Sequence, residues 1–381
     1  MTGASPRAVA RVDLDAVRAN TGRLSEAAAG RPLMAVVKAD GYGHGLVPCA
    51  RAALAGGAAW LGVANLDEAV ALREAGIEAP ILGWIAVPGD PIWVEAVGRG
   101  VDVSASALWA VGEAVAAARA TGRPARLHLK VDTGLGRAGA PAADWPDLVR
   151  HAVAAQASGE VEVVGVWSHL AYADEPGHPT VTAQILAFKE AAEVAASLGV
   201  RDPIRHLANS AATLAAPEAH FDLVRPGIAL YGLSPGPLVG TPESLGLRPA
   251  MTLEARLTSV KRVPAGHGVS YAHAYTTTSE TTLGLVPLGY ADGIGRAAGN
   301  AGPVLAAGRV RRIAGRVCMD QFVLDLGDDP AEVGDPVVLF GPGGGGEPTA
   351  EDWAQAMGTI GYEVVTRIGP RVPREYVGGQ P

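Results

Sequence analysis

The chain has 381 residues, 48% of them hydrophobic, with a formal net charge of −8 and with 50 glycines and 28 prolines spread along its length. That is enough apolar material for two ordinary domains, and too even a spread of turn residues for a disordered tract. The acidic balance and the absence of any basic run argue against nucleic acid or an anionic membrane as partners.

Two cysteines, Cys49 and Cys318, make no disulfide framework and read as core thiols. The opening MTGASPRAVARVDLD has no apolar signal segment, and no uncharged stretch reaches transmembrane length, so a cytoplasmic soluble protein is the expectation.

In chain order, RAVARVDL reads as a first strand. From residue 33 to 232, short β-type runs then alternate with alanine-rich helical stretches such as LDEAVALREAG and ALWAVGEAVAAARATG. The runs are LMAVVK (33–38), WLGVAN (60–65), PILGWI (80–85), VDVSAS (101–106), RLHLKVDT (126–133), VEVVGVWSHL (161–170), IRHLANS (204–210) and DLVRPGIALYG (222–232). Strand–helix alternation predicts parallel strands with helical crossovers, and eight of them favour a closed (β/α)8 barrel. Periodicity alone does not separate that from an open sheet.

After residue 246 the helical period fades, and short strands punctuated by Gly and Pro take over: MTLEARLTSVKRV, TTLGLVPLG, RVRRIAGRVCMDQFVLDL and DPVVLFG. The expected division is a barrel over 12–245 and a mostly β domain over 246–381, with residues 1–11 adding a strand to the second. The GPGGGG stretch (341–346) lacks the Lys-Ser/Thr of a P-loop and reads as a turn.

Barrel active sites gather at the C-terminal ends of the strands. That rule selects Lys38, Lys130, Arg137, His169, Ser210 and Arg225. Only four of the 31 basic residues are lysines: Lys38, Lys130, Lys189 and Lys261. Lysine can lose its proton and attack an aldehyde, whereas arginine cannot. Lys38 follows the buried pattern MAVV, where desolvation favours the free amine. The plainer reading is a lysine snorkelling from a strand end.

In RLHLKVD, Leu127, Leu129 and Val131 alternate with His128, Lys130 and Asp132. A buried Lys130 must be paired, with Asp132 or a nearby acid, or be modified. Ser210 and the Gly227–Ile228 turn lie where barrels often bind phosphate, although Ser210 could equally cap a helix. His169 taken alone reads as a structural histidine.

The segments AVVKADGYGHG (35–45), HLKVDTGLGRAG (128–139), SHLAYAD (168–174), ANSAA (208–212), VRPGIALYG (224–232), VSYAHAYT (269–276), PLGYADG (287–293), GRVCMDQ (315–321) and GTIGYEVVTRIGPRVPR (358–374) together resemble those of bacterial alanine racemases. Those are fold-type III enzymes dependent on pyridoxal 5'-phosphate, with a barrel followed by a β domain and with active sites shared between the subunits of a homodimer.

The resemblance implies that Lys38 carries the cofactor and is one catalytic base, acting on D-alanine. Tyr271 from the other subunit is the second base, acting on L-alanine. It implies phosphate contacts from Tyr42, Ser210, Gly227, Ile228 and Tyr362. Arg225 would face the pyridine nitrogen, with His169 near the ring. Arg137, the Met319 backbone and the neighbouring Asp320 would serve the substrate carboxylate. Lys130 matches a lysine that is often carbamylated, and Tyr290 and Arg296 would line the substrate channel. The implied role is D-alanine supply for peptidoglycan.

Two departures concern ADGYGHG and GTIGYE, where Gly41 and Gly361 loosen the backbone beside the tyrosines. Competing readings are a fold-type III decarboxylase, opposed by Arg225 and GRVCMDQ; a cofactor-carrying barrel protein, opposed by the second domain; and a broader alanine/serine racemase.

Overall fold

The computed structural model describes residues 6–379. Strand β1 (Ala8–Asp13) leads directly into a helix over Leu14–Ala27, where Asp13 accepts the Ala16 N–H at 3.0 Å and so caps one otherwise orphan donor. Seven parallel strands follow in sequential order: β2 (Met34–Val36), β3 (Trp60–Asn65), β4 (Ile81–Ile85), β5 (Asp102–Ala105), β6 (Ala125–Lys130), β7 (Val161–Trp167) and β8 (Ile204–His206). Helices separate them, as the alternation predicts.

The eighth run is not a regular strand, yet it closes the barrel. Met34 N–H donates to Val224 O at 2.8 Å and Val36 N–H to Pro226 O at 3.0 Å, while Val224 N–H reaches Pro32 O at 3.1 Å. On the other side Asp222 N–H donates to Arg205 O and Arg225 N–H to Ala208 O, each at 2.9 Å. Pro226 has no N–H with which to continue the ladder, and the chain turns at Gly227 into a tight turn over Ile228–Tyr231. The fold class is therefore a (β/α)8-type barrel whose last stave is an irregular segment.

The C-terminal part is mostly β, as its texture predicts. Strands β9 (Met251–Arg256), β10 (Ser259–Val263), β11 (Gly268–Val269), β12 (Tyr275–Thr276), β13 (Thr281–Val286), β14 (Pro303–Ala306), β15 (Arg309–Ala314), β16 (Phe322–Gly327), β17 (Pro336–Phe340) and β18 (Arg374–Val377) follow one another. A nine-stranded sheet runs β10-β13-β16-β15-β14-β17-β9-β1-β18. In it β1 pairs antiparallel with β9 and parallel with β18. Period-two burial shows in β16, where Phe322, Leu324 and Leu326 are buried and Val323 and Asp325 only partly so.

Two short helices interrupt this region, Ala350–Met357 and Gly361–Thr366. The second lies against the loop that follows β2 and so reaches the barrel mouth.

One apolar core runs from the barrel helices into the β sheet, joining residues such as Leu61, Phe188, Tyr231, Leu253 and Phe322. A separate cluster of Met34, Leu82 and Leu223 with Trp60, Trp84 and Ile204 plugs the barrel at the start of its strands. Among the described residues no helix is long and apolar enough to cross a membrane.

Candidate active site

Beyond β2 the backbone does something local propensity disfavours. Ala39, Asp40, Gly41, Tyr42 and Gly43 take φ of +53°, +53°, +61°, +52° and +81°, one continuous left-handed turn. Each L-residue there costs about 1–2 kcal/mol, so neighbours must hold it. Glu68 does so from the helix after β3, Leu66–Glu74: one carboxylate oxygen accepts the Ala39 N–H at 2.5 Å, while the other accepts the Ala64 and Asn65 N–H groups at 3.1 and 3.2 Å. Asp40 accepts the Leu46 N–H at 2.7 Å, and Arg374 of β18 donates to Gly43 O at 2.9 Å.

The turn starts at Lys38, which is half-buried, and ends by burying Tyr42. Burial first, and the Arg137 charge second, push the Lys38 amine below its ordinary pKa, with Glu68 opposing.

Tyr42 brings its hydroxyl against Gly227, where a side-chain Cβ would collide with it. Ser210 Oγ accepts the Gly227 N–H at 2.7 Å and the Ala229 N–H at 3.4 Å. Ser210 is not the helix cap: Asn209 fills that place, accepting the Ala212 N–H at 3.1 Å, which leaves the Ser210 hydroxyl for the Gly227 turn. Ile228 is buried beside it. Tyr362, on the helix over Gly361–Thr366, sets its ring centroid 6.4 Å from that of Tyr42. Tyr42, Ser210, Gly227, Ile228 and Tyr362 thus come together.

Arg225 lies across the barrel mouth, held through both terminal nitrogens. Its Nη2 donates to Ser168 O at 2.8 Å and Leu207 O at 3.2 Å and meets His169 Nδ1 at 3.4 Å, while Nη1 meets His206 Nδ1 at 3.1 Å. Burial lowers its pKa to about 9. His169 is held well below the ordinary histidine range by burial and then by Arg225, Arg137, Lys130 and Lys38, so it is neutral.

Lys130 sits with its ammonium 4.1 Å above the Trp167 ring. Asp132 is not its partner in an ion pair. The Asp132 carboxylate instead collects the N–H groups of Gly134, Leu135 and Gly136 at 2.9–3.2 Å, shaping the turn that carries the exposed Arg137. Burial, then Arg225 and Arg137, bring the Lys130 pKa down to about 8, against the weaker pull of Asp132.

The remaining candidates form a second group on the β domain. Tyr271 is 69% exposed, Met319 53% and Tyr290 42%, and Arg296 is exposed as well. Ser270, at φ +63°, donates to Arg316 O at 2.8 Å and meets Cys318 Sγ at 3.5 Å, which seats Tyr271 beside the 316–319 turn. Tyr290 N–H donates to Cys318 O at 3.0 Å and Ala291 N–H to Met319 O at 2.9 Å. Arg371 links Asp320 at 2.7 Å to the buried Asp292 at 3.3 Å, and Arg7 also pairs with Asp292 at 2.7 Å. Cys318 is only partly buried, in contrast to the core position expected of it, whereas Cys49 is fully buried. Among the described residues no side-chain hydrogen bond joins this group to the barrel mouth.

Sequence reasoning missed Glu68, Trp167, Asp102 and His206 as parts of the site. Its one usable signal was the alternation Leu127-His128-Leu129-Lys130, whose polar members line the barrel interior.

Family comparison agrees with this architecture. Residues 12–235 match the model of the alanine racemase N-terminal domain, and residues 250–376 that of the alanine racemase C-terminal domain. A curated alanine racemase of Frankia casuarinae is 63% identical over 371 residues, spanning 97% of this chain and 96% of its own. One from Streptomyces coelicolor is 61% identical over 376 residues, spanning 97% and 96%.

The crystal structure of alanine racemase from D-cycloserine-producing Streptomyces lavendulae superposes with a TM-score of 0.98 at 60% identity, covering 99% of each chain. That of the Bacillus anthracis enzyme with bound L-Ala-P gives 0.88 at 34% identity, covering 99% of this chain and 97% of the other. With both domain models matched in order, near-complete coverage by relatives of this identity and the same fold, the chain belongs to the alanine racemase family.

Proposed function

We propose that this protein interconverts L- and D-alanine using pyridoxal 5'-phosphate, as a homodimer whose active sites are shared between subunits. The observation that carries this reading is the pairing of a desolvated lysine amine at Lys38 with the convergence of Tyr42, Ser210, Gly227, Ile228 and Tyr362 at the same end of the barrel. Those residues fit the cofactor: an amine able to attack its aldehyde, and N–H and hydroxyl donors where its phosphate would sit. When bound, pyridoxal phosphate supplies the electron-withdrawing ring that acidifies the α-C–H of an amino acid.

The chain's own groups do the rest. Lys38, with its pKa lowered, is able to take or return the α-proton on one face, that of D-alanine. Tyr271 of the partner subunit serves the opposite face, that of L-alanine; racemisation needs a base on each. The exposure of Tyr271, Met319 and Tyr290 in the single chain supports this sharing, since a second subunit would cover them.

Arg225 would face the ring nitrogen of the bound cofactor, as a cation able to donate a hydrogen bond without surrendering its proton. Neutral His169 lies beside it, placed to help Arg225 tune the partner's Tyr271. Arg137 and the Met319 backbone N–H hold the substrate carboxylate, with Asp320 adjacent and Tyr290 and Arg296 along the approach. Lys130 combines as its free amine with carbon dioxide, releasing a proton and leaving a carbamate to anchor Arg137 by charge-assisted hydrogen bonds. A pKa of about 8 leaves some of that free amine available near neutral pH.

We assign the barrel to 12–245 and the β domain to 246–381, with the N-terminal strand joined to the latter. D-alanine supply for peptidoglycan in the cytoplasm is the role proposed. The test is a chiral assay of the purified protein with added pyridoxal phosphate on alanine, serine, lysine and glutamate. Fast turnover of alanine, weak turnover of serine and none of the others is expected. Comparable rates on alanine and lysine would point to the broader racemase, and no racemisation of alanine would overturn the reading.

A further inference from the structure

A line of buried polar groups crosses the barrel interior from Arg225 to Asp102. Arg225 Nη1 lies 3.1 Å from His206 Nδ1, His206 Nε2 lies 2.9 Å from His128 Nδ1, and His128 Nε2 lies 3.2 Å from Asp102 Oδ2. The four residues come from the closing segment and from β8, β6 and β5, and all are at most 4% exposed.

The chemistry of the two ends fixes the direction of every bond between them. A guanidinium only donates, so His206 Nδ1 must be bare and its hydrogen must sit on Nε2. That hydrogen points at His128 Nδ1, which must then be bare as well. The remaining His128 hydrogen is on Nε2 and is donated to a carboxylate, a group that only accepts when ionised. Each contact is satisfied in one sense only: Arg225 to His206 to His128 to Asp102.

Both rings pack against indoles. The Trp167 indole stacks on His206 at 5.6 Å and 9°, with its own Nε1–H tied to Ser104 Oγ at 3.0 Å, and Trp60 meets His128 edge-on. Arg126 closes the far end, donating from Nε to Asp102 Oδ1 at 2.9 Å and from Nη1 to Glu162 at 2.9 Å.

We propose that Asp102, acting through His128 and His206, is a positioning residue that orients Arg225 as a donor toward the cofactor ring. A charge-assisted acceptor at the end of a one-way chain strengthens each bond in it and fixes both tautomers. The placement of Arg225 against the ring rests on the function proposed above; the direction of the chain does not.

The test reads the tautomers directly. Protein labelled with 15N-histidine, its nine histidines assigned by single replacement, is measured by solid-state 15N magnetic resonance near neutral pH. Both His128 and His206 should carry hydrogen on Nε2 alone. A proton on Nδ1 of either ring, or on both nitrogens, overturns the proposal in the unmutated protein, whatever the variants do.

In Asp102→Asn the amide oxygen is held by Arg126, so the NH2 group faces His128. His128 should switch to the Nδ1–H form, which then opposes the Nε2–H of His206. Alanine racemisation should lose kcat by on the order of tenfold, with KM little changed, as for loss of a hydrogen bond involving a charged group. An unchanged His128 tautomer with unchanged kcat would rule Asp102 out. If the unmutated protein shows the proposed tautomers but racemises no alanine, the chain stands and the functional reading falls.

Discussion

At the scale of single residues, the site depends on which charges are suppressed by burial. Lys38 and Lys130 are both candidates for a reactive amine, and only geometry separates them: Lys38 opens the left-handed turn beside Tyr42, whereas Lys130 lies over Trp167. Borohydride treatment of protein loaded with pyridoxal phosphate should link the cofactor to the peptide containing Lys38. Mass spectrometry placing it on Lys130 would reverse the assignment. Lys130→Ala should lower activity, with partial recovery in chloride or small carboxylates that fill the anion position. Activity equal to the unmutated enzyme would leave Lys130 a structural cation over indole.

Buried histidines make a second prediction at this scale. His44 is fully buried, and burial brings its pKa down to about 4, while burial holds His169 and His206 well below the usual value. In the unfolded chain these groups bind protons near pH ~6.5. Unfolding therefore takes up protons as pH falls through that value, and stability present above it is lost progressively toward the folded pKa values. Each such histidine contributes up to about 1.4 kcal/mol per pH unit in that window. The Tm should fall between pH 7 and pH 5, and His44→Asn should flatten the fall. A Tm independent of pH in that range would contradict the burial argument.

At the scale of elements, the left-handed turn over Ala39–Gly43 is the expensive piece of the barrel, and it is supported from both domains. At Gly43, φ is +81° and a Cβ would lie 2.5 Å from Val365 O, in the same helix that carries Tyr362. Gly43→Ala should therefore cost the left-handed penalty of about 1–2 kcal/mol and also push the turn away from that helix. The expected result is a lower Tm together with weaker binding of pyridoxal phosphate, read by absorbance titration. Gly76→Ala is the control: its φ is +79°, but no atom lies within 4 Å of the added Cβ, so it should lower Tm without touching cofactor affinity. Equal effects of the two on cofactor binding would mean that the contact between turn and helix does not shape the site.

At the scale of the whole molecule, the candidate residues fall into two groups, one at the barrel mouth and one on an exposed edge of the β domain. Two subunits arranged so that each mouth meets the other's edge would complete both sites. Lys38→Ala and Tyr271→Phe homodimers should each be almost inactive. Mixed under conditions that exchange subunits, they should regain activity, up to one working site per heterodimer, because one site inherits both intact residues. Phenylalanine keeps the ring and removes only the ionisable hydroxyl, so packing is little disturbed. Verified heterodimers without activity would exclude a shared site. Solvent exchange of the α-proton in Tyr271→Phe should persist for D-alanine and largely disappear for L-alanine.

What the sequence determined by itself is what local periodicity and strand position encode. Alternating apolar runs and alanine-rich helices specified parallel strands with crossovers, and the loss of the helical period after residue 246 marked the β part. Strand-end position pointed to Lys38, Lys130, Arg137, His169, Ser210 and Arg225.

Tertiary structure decided the partnerships, because a hydrogen bond or a close approach is chosen among groups far apart in the chain. Pro226 broke the eighth strand, yet its carbonyl still helped close the barrel on Val36. Asp132 turned to its own loop rather than to Lys130, since three backbone N–H groups outcompete one ammonium that already has a ring beneath it. Glu68, 28 residues beyond Asp40, carries the strained turn. His128 and His206, 78 residues apart, met only because β6 and β8 belong to one closed sheet, and no pattern in either segment alone names the other.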